Sequence, residues 1–242
     1  MSDDAPDETT RSDAARPIEE LAMPALVHGR YHFVAAEGSE NGSGPLLVGC
    51  HGYGETARDL LTELLRIPGV EAWNVCAVDA LHPFYRRDGS VVRSWMTRED
   101  RERAITDNIR YVASVVAELR RERGIGGPLV FAGFSQGVAM AWRAAVRSGW
   151  PCAALLALAG DVPGDVLEPA SASLPTVLLG RGTADTWYDE AKMQADLDAL
   201  APFDVTVETV VFDAGHVWHD DYFAACGELL GRIADGATPG GG

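Results

Sequence analysis

The chain has 242 residues, of which 47% are hydrophobic, so it is long enough to bury one sizeable core. Its 20 basic residues stand against 36 acidic ones, and the formal net charge of −16 argues against nucleic acid or an anionic membrane surface as a general partner. No apolar run approaches the roughly 18 residues of a membrane span and the amino terminus lacks the pattern of a secretory signal, so we expect a cytoplasmic protein with no stable membrane insertion.

Short apolar runs alternate along the chain with segments of helical periodicity. The predicted strands cover residues 31–36, 46–50, 74–78, 129–132, 153–159, 176–179 and 205–212. The predicted helices cover residues 56–67, 100–123, 138–146, 188–200 and 220–234. The segment 79–100 is predicted to be long and irregular. This alternation indicates an α/β fold, with a mostly parallel sheet flanked by helices on both faces and no large lid domain.

Composition predicts a single domain between two tails. Residues 1–18 are polar, acidic and without periodicity, which predicts a disordered amino-terminal tail. Residues 236–242 are rich in glycine and predict a flexible carboxy-terminal tail. Because residues 19–235 contain no repeat and no long linker, we expect them to form one domain.

The cysteines and histidines do not form a recognisable metal or disulfide pattern. Cys50, Cys76, Cys152 and Cys226 are isolated, and no C-x-x-C spacing occurs. Reduced thiols in the core of a cytoplasmic protein are therefore expected. Since cysteines and histidines do not cluster, we predict no metal site.

One short stretch, residues 133–137, carries a chemical signal. It reads Gly-Phe-Ser-Gln-Gly and matches G-x-S-x-G, between a predicted strand and a predicted helix. A serine on such a turn has a strained backbone, and its hydroxyl projects over the edge of the sheet. The flanking glycines avoid collisions with the neighbouring strand and helix, and the helix N-terminus directs its N–H groups at the reacting centre. We therefore predict Ser135 as a nucleophile.

A serine hydroxyl needs a base, and the base needs an orienting acid. On a sheet of this kind the partners follow in the order Ser, Asp or Glu, His, each after the carboxyl end of a strand. Asp185 and His216 meet both conditions and are the predicted acid and base. Asp161, which also follows a predicted strand, stays open as an alternative acid, and His219 as an alternative base.

The oxyanion of the reaction needs two backbone donors. The first predicted donor is the N–H of Gln136, directly after the nucleophile. The second is the N–H of Tyr53, in the small-residue loop 51–54 after the second strand. His51 in that loop is interpreted as structural.

These motifs resemble a known family. His-Gly-Tyr-Gly at 51–54, Gly-Phe-Ser-Gln-Gly at 133–137, a Gly-x-x-Asp loop at 182–185 and a Gly-His pair at 215–216 occur in this order. Together they resemble the α/β-hydrolase fold over roughly residues 30–234. More narrowly, they resemble the phospholipase/carboxylesterase family, which includes the acyl-protein thioesterases.

The resemblance implies a cofactor-free serine hydrolase acting on carboxylic esters or thioesters, with Ser135, Asp185 and His216 as the matching triad. Two segments depart from the family's usual pattern. Gly160-Asp161 stands where the family usually has Ser-Gly, and residues 85–96 differ from the thioesterases. These departures concern the choice of substrate rather than the chemistry.

The substrate pocket is predicted from aromatic and apolar residues near the catalytic loops. The tentative substrate-binding residues are Trp95, Met96, Phe134, Trp187 and Trp218. A group of arginines could bind a substrate carboxylate; it consists of Arg86, Arg87, Arg93, Arg98, Arg101 and Arg103. Acidic residues lie among them, so a solvated face of mixed charge is the favoured interpretation.

The leading hypothesis is an esterase that hydrolyses small to medium acyl esters through an acyl-enzyme. A thioesterase or lysophospholipase with a longer acyl slot is the alternative within the same chemistry. A catalytically silent small-molecule-binding protein on the same fold is the alternative from another class. The expected partner is a small acyl ester, and a homodimer is compatible with the sequence.

Overall fold

The computed structural model describes residues 18–38, 44–168 and 174–236. Both predicted tails therefore lie outside the described residues, except for residue 18 and residue 236. Within the described ranges, no helix combines the length and apolar composition that crossing a membrane requires.

The described residues form nine strands, five α-helices and two short 3-10 helices, Val70–Ala72 and Gly164–Val166. The strands are β1 (Tyr31–Val34), β2 (Leu46–Cys50), β3 (Asn74–Val78), β4 (His82–Tyr85), β5 (Val91–Ser94), β6 (Leu129–Phe134), β7 (Ala154–Leu158), β8 (Thr176–Gly182) and β9 (Val207–Phe212). The helices are α1 (Ala57–Leu64), α2 (Arg101–Arg123), α3 (Gln136–Arg147), α4 (Glu190–Leu200) and α5 (Asp220–Ala234). Every predicted strand and helix is present, with most ends shifted by a few residues.

Seven strands form one sheet in the order β1-β3-β2-β6-β7-β8-β9. β1 pairs antiparallel with β3, and all other neighbours are parallel. β2, β3, β6 and β7 are buried along their whole length, because layers of helix cover a parallel sheet on both faces. The predicted mostly parallel sheet is therefore confirmed.

The order of strands places a crevice between β2 and β6. From β2 the chain crosses to β3 on one side, and from β6 it crosses to β7 on the other. Right-handed crossovers then put α1 and α3 on opposite faces of the sheet. The carboxyl ends of β2 and β6 meet at this change of direction, with Cys50 opposite Gly133, and ligands of open α/β sheets bind at such points.

The segment 79–100 is not irregular throughout, and that prediction was wrong. β4 and β5 form an antiparallel hairpin in which His82 pairs with Ser94. Its turn contains Asp88-Gly89, where Gly89 has φ 83° and the Asp88 carboxylate accepts from the backbone and hydroxyl of Ser90. An Asp-Gly pair between strands is a strong hairpin signal, and it was available in the sequence.

β8 is longer than predicted because Gly180-Arg181-Gly182 continues the ladder with β9 rather than starting a loop. A Cβ at Gly182 would lie 2.2 Å from the carbonyl oxygen of Ala214, so the glycine permits the close approach of these two segments.

The four cysteines are free thiols; Cys152 is half-buried and the other three are buried.

Helix α3 packs so closely on the end of β2 that only glycine fits at the contact. A Cβ at Gly137 would lie 2.0 Å from the carbonyl oxygen of Cys50 and 2.5 Å from that of His51. We expect Gly137→Ala to lower the free energy of unfolding by about 3 kcal/mol, because the obstruction is backbone and cannot rotate away. Urea denaturation measures this quantity.

Gly231→Ala is the matched control, since Gly231 lies within α5 and a Cβ there meets nothing within 4 Å. It should raise the free energy of unfolding by up to about 1 kcal/mol through helix propensity. Equal effects of the two substitutions would contradict the packing argument.

Candidate active site

Ser135 lies on the turn between β6 and α3 in a conformation that non-glycine residues seldom adopt. Its backbone angles are φ 53° and ψ −121°. Two glycines pack against this turn too closely for a side chain. A Cβ at Gly133 would lie 2.6 Å from Cα of Val138, and one at Gly160 would lie 2.4 Å from the Ser135 carbonyl oxygen. The strained turn predicted for this serine is therefore present, held by close packing on two sides.

Asp185 and His216 lie together at the same edge of the sheet. Nδ1 of His216 is 2.8 Å from Oδ2 of Asp185. The other carboxylate oxygen accepts from the backbone N–H groups of Trp187 (2.8 Å) and Tyr188 (3.0 Å). Burial works to raise the pKa of Asp185, but these two N–H donors and His216 outweigh it, so the pKa lies below its usual value. The carboxylate is thus held ionised against the imidazole.

The imidazole of His216 lies beside the serine turn. Its ring packs against Phe134, the residue before Ser135, with 5.0 Å between ring centroids, and Trp218 packs against the same phenyl ring. The Ser135 hydroxyl forms no hydrogen bond with the residues that the structure describes. The assignment of all three residues to one triad stays a prediction.

The two alternative residues occupy structural positions. Asp161 is exposed and pairs with Lys192, 3.5 Å away. His219 begins helix α5, where its Nδ1 accepts from the N–H of Asp221, and its ring stacks on Phe212 at 4.7 Å. Within the described residues, neither side chain forms a hydrogen bond with Asp185 or His216, which are bonded to each other.

The two predicted oxyanion donors are unengaged. In the loop after β2, the N–H of Gly52 donates to Glu55, that of Gly54 to Arg93, and that of Glu55 to Gly52. The N–H groups of Tyr53 and Gln136, in contrast, donate to no other group in the described part of the chain. Two free backbone donors beside a strained serine are what an oxyanion requires.

A buried network holds this loop in place. His51 accepts from the N–H of Ala80 through Nε2 (3.1 Å), so Nδ1 carries the proton and donates to the Gly52 carbonyl (2.7 Å). Burial lowers the pKa of His51, which stays neutral. The indole N–H of Trp95 donates to the His51 carbonyl at 2.7 Å. The interpretation of His51 as structural agrees with this geometry.

Gln136 links the serine turn to the hairpin. Its side-chain oxygen accepts from the backbone N–H of Trp95 at 3.0 Å, and its amide donates to Oγ of Ser94 at 3.2 Å. The residue whose backbone N–H is a predicted oxyanion donor therefore also fixes the end of β5 through its side chain.

Glu55 is a second carboxylate near the imidazole that the sequence did not single out. It accepts from the N–H of Gly52 at 2.8 Å. Burial is the largest influence and raises the pKa of Glu55, while the Gly52 N–H and the charges of His216 and Arg86 lower it. Glu55 thus stabilises the turn that presents the Tyr53 N–H.

The loop that carries Asp185 is anchored from behind. The hydroxyl of Tyr188 donates to the buried carboxylate of Asp196 in α4 at 2.8 Å, and the N–H of Val162 donates to the same carboxylate at 3.1 Å. Burial raises the pKa of Asp196 to about 6, against the two hydrogen bonds, which lower it. One carboxyl group therefore joins the Asp185 loop to the loop after β7.

A cavity of about 440 Å³ adjoins the loop 51–54, which we call the oxyanion loop after its predicted role. Its walls consist of Tyr53 and seven residues of the hairpin segment, namely His82, Pro83, Phe84, Ser94, Met96, Thr97 and Arg98. A second cavity of about 500 Å³ lies at the amino ends of β6 and β7, the opposite edge of the sheet, and includes no residue of the catalytic loops. Of these two cavities, the first alone includes a residue of the predicted catalytic loops, Tyr53.

Of the five predicted pocket residues, Met96 alone lines this cavity. Trp95 is completely buried and supports the oxyanion loop, which corrects its assignment to substrate binding. Phe134 packs against His216 and Trp218 packs against Phe134, and Trp187 is 74% exposed. The hairpin residues were missed because the segment was interpreted as irregular, although its Asp-Gly turn could have indicated them.

Across residues 18–38, 44–168 and 174–236, no three His, Cys, Asp or Glu side chains are placed to bind one metal ion.

Comparisons with solved structures identify the fold. Esterase PE8 is similar to this chain with a TM-score of 0.67 and 23% identity, over 86% of this chain and 100% of that one. A carboxylesterase from Mesorhizobium loti matches with a TM-score of 0.67 and 21% identity, covering 86% and 98%. Zea mays acyl-protein thioesterase 2 matches with a TM-score of 0.63 and 18% identity, covering 86% and 100%. These similarities confirm the predicted α/β-hydrolase fold.

Sequence comparisons add nothing to this. No protein-family model matches the chain, and no curated protein sequence matches it either.

Trp95, which is buried, and Trp187, which is exposed, give a test of the buried network. Trp95→Phe leaves the His51 carbonyl without its donor in a buried setting, and we expect the free energy of unfolding to fall by about 2 kcal/mol. Trp187→Phe removes the same atoms from an exposed ring and should change it by less than about 0.5 kcal/mol. Denaturation with urea compares the two, and similar losses would argue against a special role for Trp95.

Asp196 predicts a specific pH dependence of stability. With a pKa of about 6 in the folded state and about 3.9 in the unfolded chain, the folded protein binds the proton more tightly. Stability from this group is therefore present at low pH and is lost as pH rises from about 4 to about 6, by up to about 3 kcal/mol.

Asp196→Asn should remove that part of the pH dependence, so the difference in unfolding free energy between wild type and variant should change over this window. Asp198→Asn, on the exposed side of the same helix, should leave the profile parallel to that of the wild type. Parallel profiles for both variants would show that Asp196 titrates normally.

Proposed function

We propose that the protein is a serine hydrolase of carboxylic esters, of the phospholipase/carboxylesterase type. The observation that carries the proposal is the 2.8 Å hydrogen bond between His216 and Asp185 beside the strained turn of Ser135. Similarity in fold to esterases and to a thioesterase supports it.

In the first half of the reaction, Oγ of Ser135 attacks the ester carbonyl carbon while Nε2 of His216 accepts the hydroxyl proton. Asp185 holds the Nδ1–H tautomer and stabilises the imidazolium that forms. The N–H groups of Tyr53 and Gln136 donate to the oxyanion of the tetrahedral intermediate. His216 then gives its proton to the leaving alkoxide, and an acyl-enzyme remains.

In the second half, a water molecule attacks the acyl-enzyme with His216 as the base, and the carboxylic acid leaves as Ser135 recovers its proton. The absence of a hydrogen bond between the Ser135 hydroxyl and His216 among the described residues is compatible with this mechanism. Catalytic hydrogen bonds are often long without substrate and shorten only in the complex.

The cavity supports small to medium acyl groups. Its volume of about 440 Å³ falls in the lower part of the range of small-molecule sites, about 300 to 1,000 Å³. A thioesterase with the same triad is the second candidate, favoured by the similarity to Zea mays acyl-protein thioesterase 2. Turnover of oxygen esters and thioesters with matched acyl chains separates the two.

The triad is tested by turnover of 4-nitrophenyl butyrate. We expect Ser135→Ala and Asp185→Asn each to lower kcat by at least about 10³-fold, because the triad acts as a unit. The matched control is Asp161→Asn, which removes an exposed carboxylate paired with Lys192 and should retain activity within about twofold of wild type.

A fluorophosphonate probe should label the wild type at Ser135 and leave Ser135→Ala unlabelled. Equal turnover by wild type and Ser135→Ala would remove the proposal. A folded wild type without turnover or labelling would favour a silent binding protein instead.

A further inference from the structure

Six arginines lie between residues 86 and 103, and most of them are engaged locally. Arg93 forms an ion pair with Asp79 at 3.0 Å, and both side chains are largely buried. Arg86 donates to the carbonyl of Gly54. At the start of α2, Arg101 pairs with Glu102 and Arg103 with Asp100. The favoured interpretation of this group as a mixed-charge surface holds for these residues.

Arg98 is different from these four. It is exposed, and within the described ranges its guanidinium forms neither an ion pair nor a hydrogen bond. It is also the one arginine of the group that lines the cavity beside the oxyanion loop. No aspartate or glutamate is among the residues lining that cavity. The chain as a whole repels anions, since its net charge is −16. This cavity, with an unpaired guanidinium and no acidic residue in its walls, can attract one.

The other walls suit a ligand that is apolar along its length and polar at one end. Pro83, Phe84 and Met96 supply apolar surface. His82, in the same wall, has a buried Nδ1 without a hydrogen-bond partner among the described residues. Unsatisfied buried polar atoms are uncommon in folded proteins, and a ligand or water commonly completes their hydrogen bonding.

The position of the cavity indicates which part of an ester it receives. His216 must reach the leaving oxygen, so the alcohol part lies on the side of the imidazole. The cavity includes no residue of the loops that carry Asp185 or His216. It adjoins the oxyanion donors instead, through Tyr53 itself and through Ser94, which is bonded to Gln136. The cavity is therefore on the acyl side.

From these observations we propose that the preferred substrates are esters whose acyl chain ends in a carboxylate, that is, monoesters of dicarboxylic acids, with Arg98 binding the free carboxylate. The proposal rests on the proposed ester hydrolysis. A guanidinium can bind a carboxylate through two parallel hydrogen bonds, which gives both affinity and orientation. Methylation of the free carboxylate removes the charge and preserves the chain.

The test compares 4-nitrophenyl hydrogen adipate with 4-nitrophenyl methyl adipate, after subtraction of spontaneous hydrolysis. Wild type should have the higher kcat/KM for the acid. Arg98→Gln should lower kcat/KM for the acid by about 10- to 100-fold and change that for the methyl ester by no more than about twofold.

Arg87→Gln is the matched control, because Arg87 is also exposed but lies outside the cavity. It should leave both substrates within about twofold of wild type. A wild type that does not prefer the acid, an equal loss on both substrates in Arg98→Gln, or an equal effect of Arg87→Gln would each overturn the proposal.

The proposed function and the role of Arg98 would fail on different results. If wild type cleaves the methyl ester and Ser135→Ala does not, the proposed function stands. The comparison of the two substrates in wild type and Arg98→Gln then decides whether Arg98 binds the free carboxylate. If wild type cleaves neither substrate, the proposed function itself has failed, and the role of Arg98 fails with it.

Discussion

The contact on which the site depends is the close approach of helix α3 to the end of strand β2. At Gly137 the two backbones are so near that a methyl group would overlap the Cys50 carbonyl. This contact brings two chain segments together: the turn that carries Ser135 and the loop that carries Tyr53. Each segment supplies one unengaged N–H, so the pairing of the two predicted oxyanion donors follows from backbone packing and needs no side chain.

Side chains add rigidity around this backbone frame. Trp95 and Gln136 join the oxyanion loop, the serine turn and the hairpin through hydrogen bonds of 2.7 to 3.2 Å. On the other side of the serine, Asp196 and Tyr188 hold the loop of Asp185. The predicted catalytic residues are thus held by two separate sets of hydrogen bonds.

Much of this could be predicted from the sequence, for a physical reason. Parallel pairing brings the carboxyl ends of the strands to one edge of the sheet, so the sequence could predict that Asp185 and His216 lie at the edge that carries Ser135. The buried position of Trp95 could not be predicted in this way, because an aromatic residue beside a predicted catalytic loop can equally well line a cavity or pack inside the core. Arg98 could not be separated from Arg93 either, because the carboxylate that pairs with Arg93 belongs to Asp79, which only the folded chain brings next to it.

The hairpin is joined to the oxyanion loop by main-chain bonds, from the N–H of Gly54 to the Arg93 carbonyl and from the N–H of Arg93 to the Glu55 carbonyl. Such bonds are indifferent to side-chain identity. Exchanges at wall positions such as His82, Phe84 and Arg98 can therefore alter what the cavity accepts while the backbone register persists. Point mutations in this wall could thus change which ligands the cavity accepts and leave the Asp185–His216 pair and the turn of Ser135 as they are.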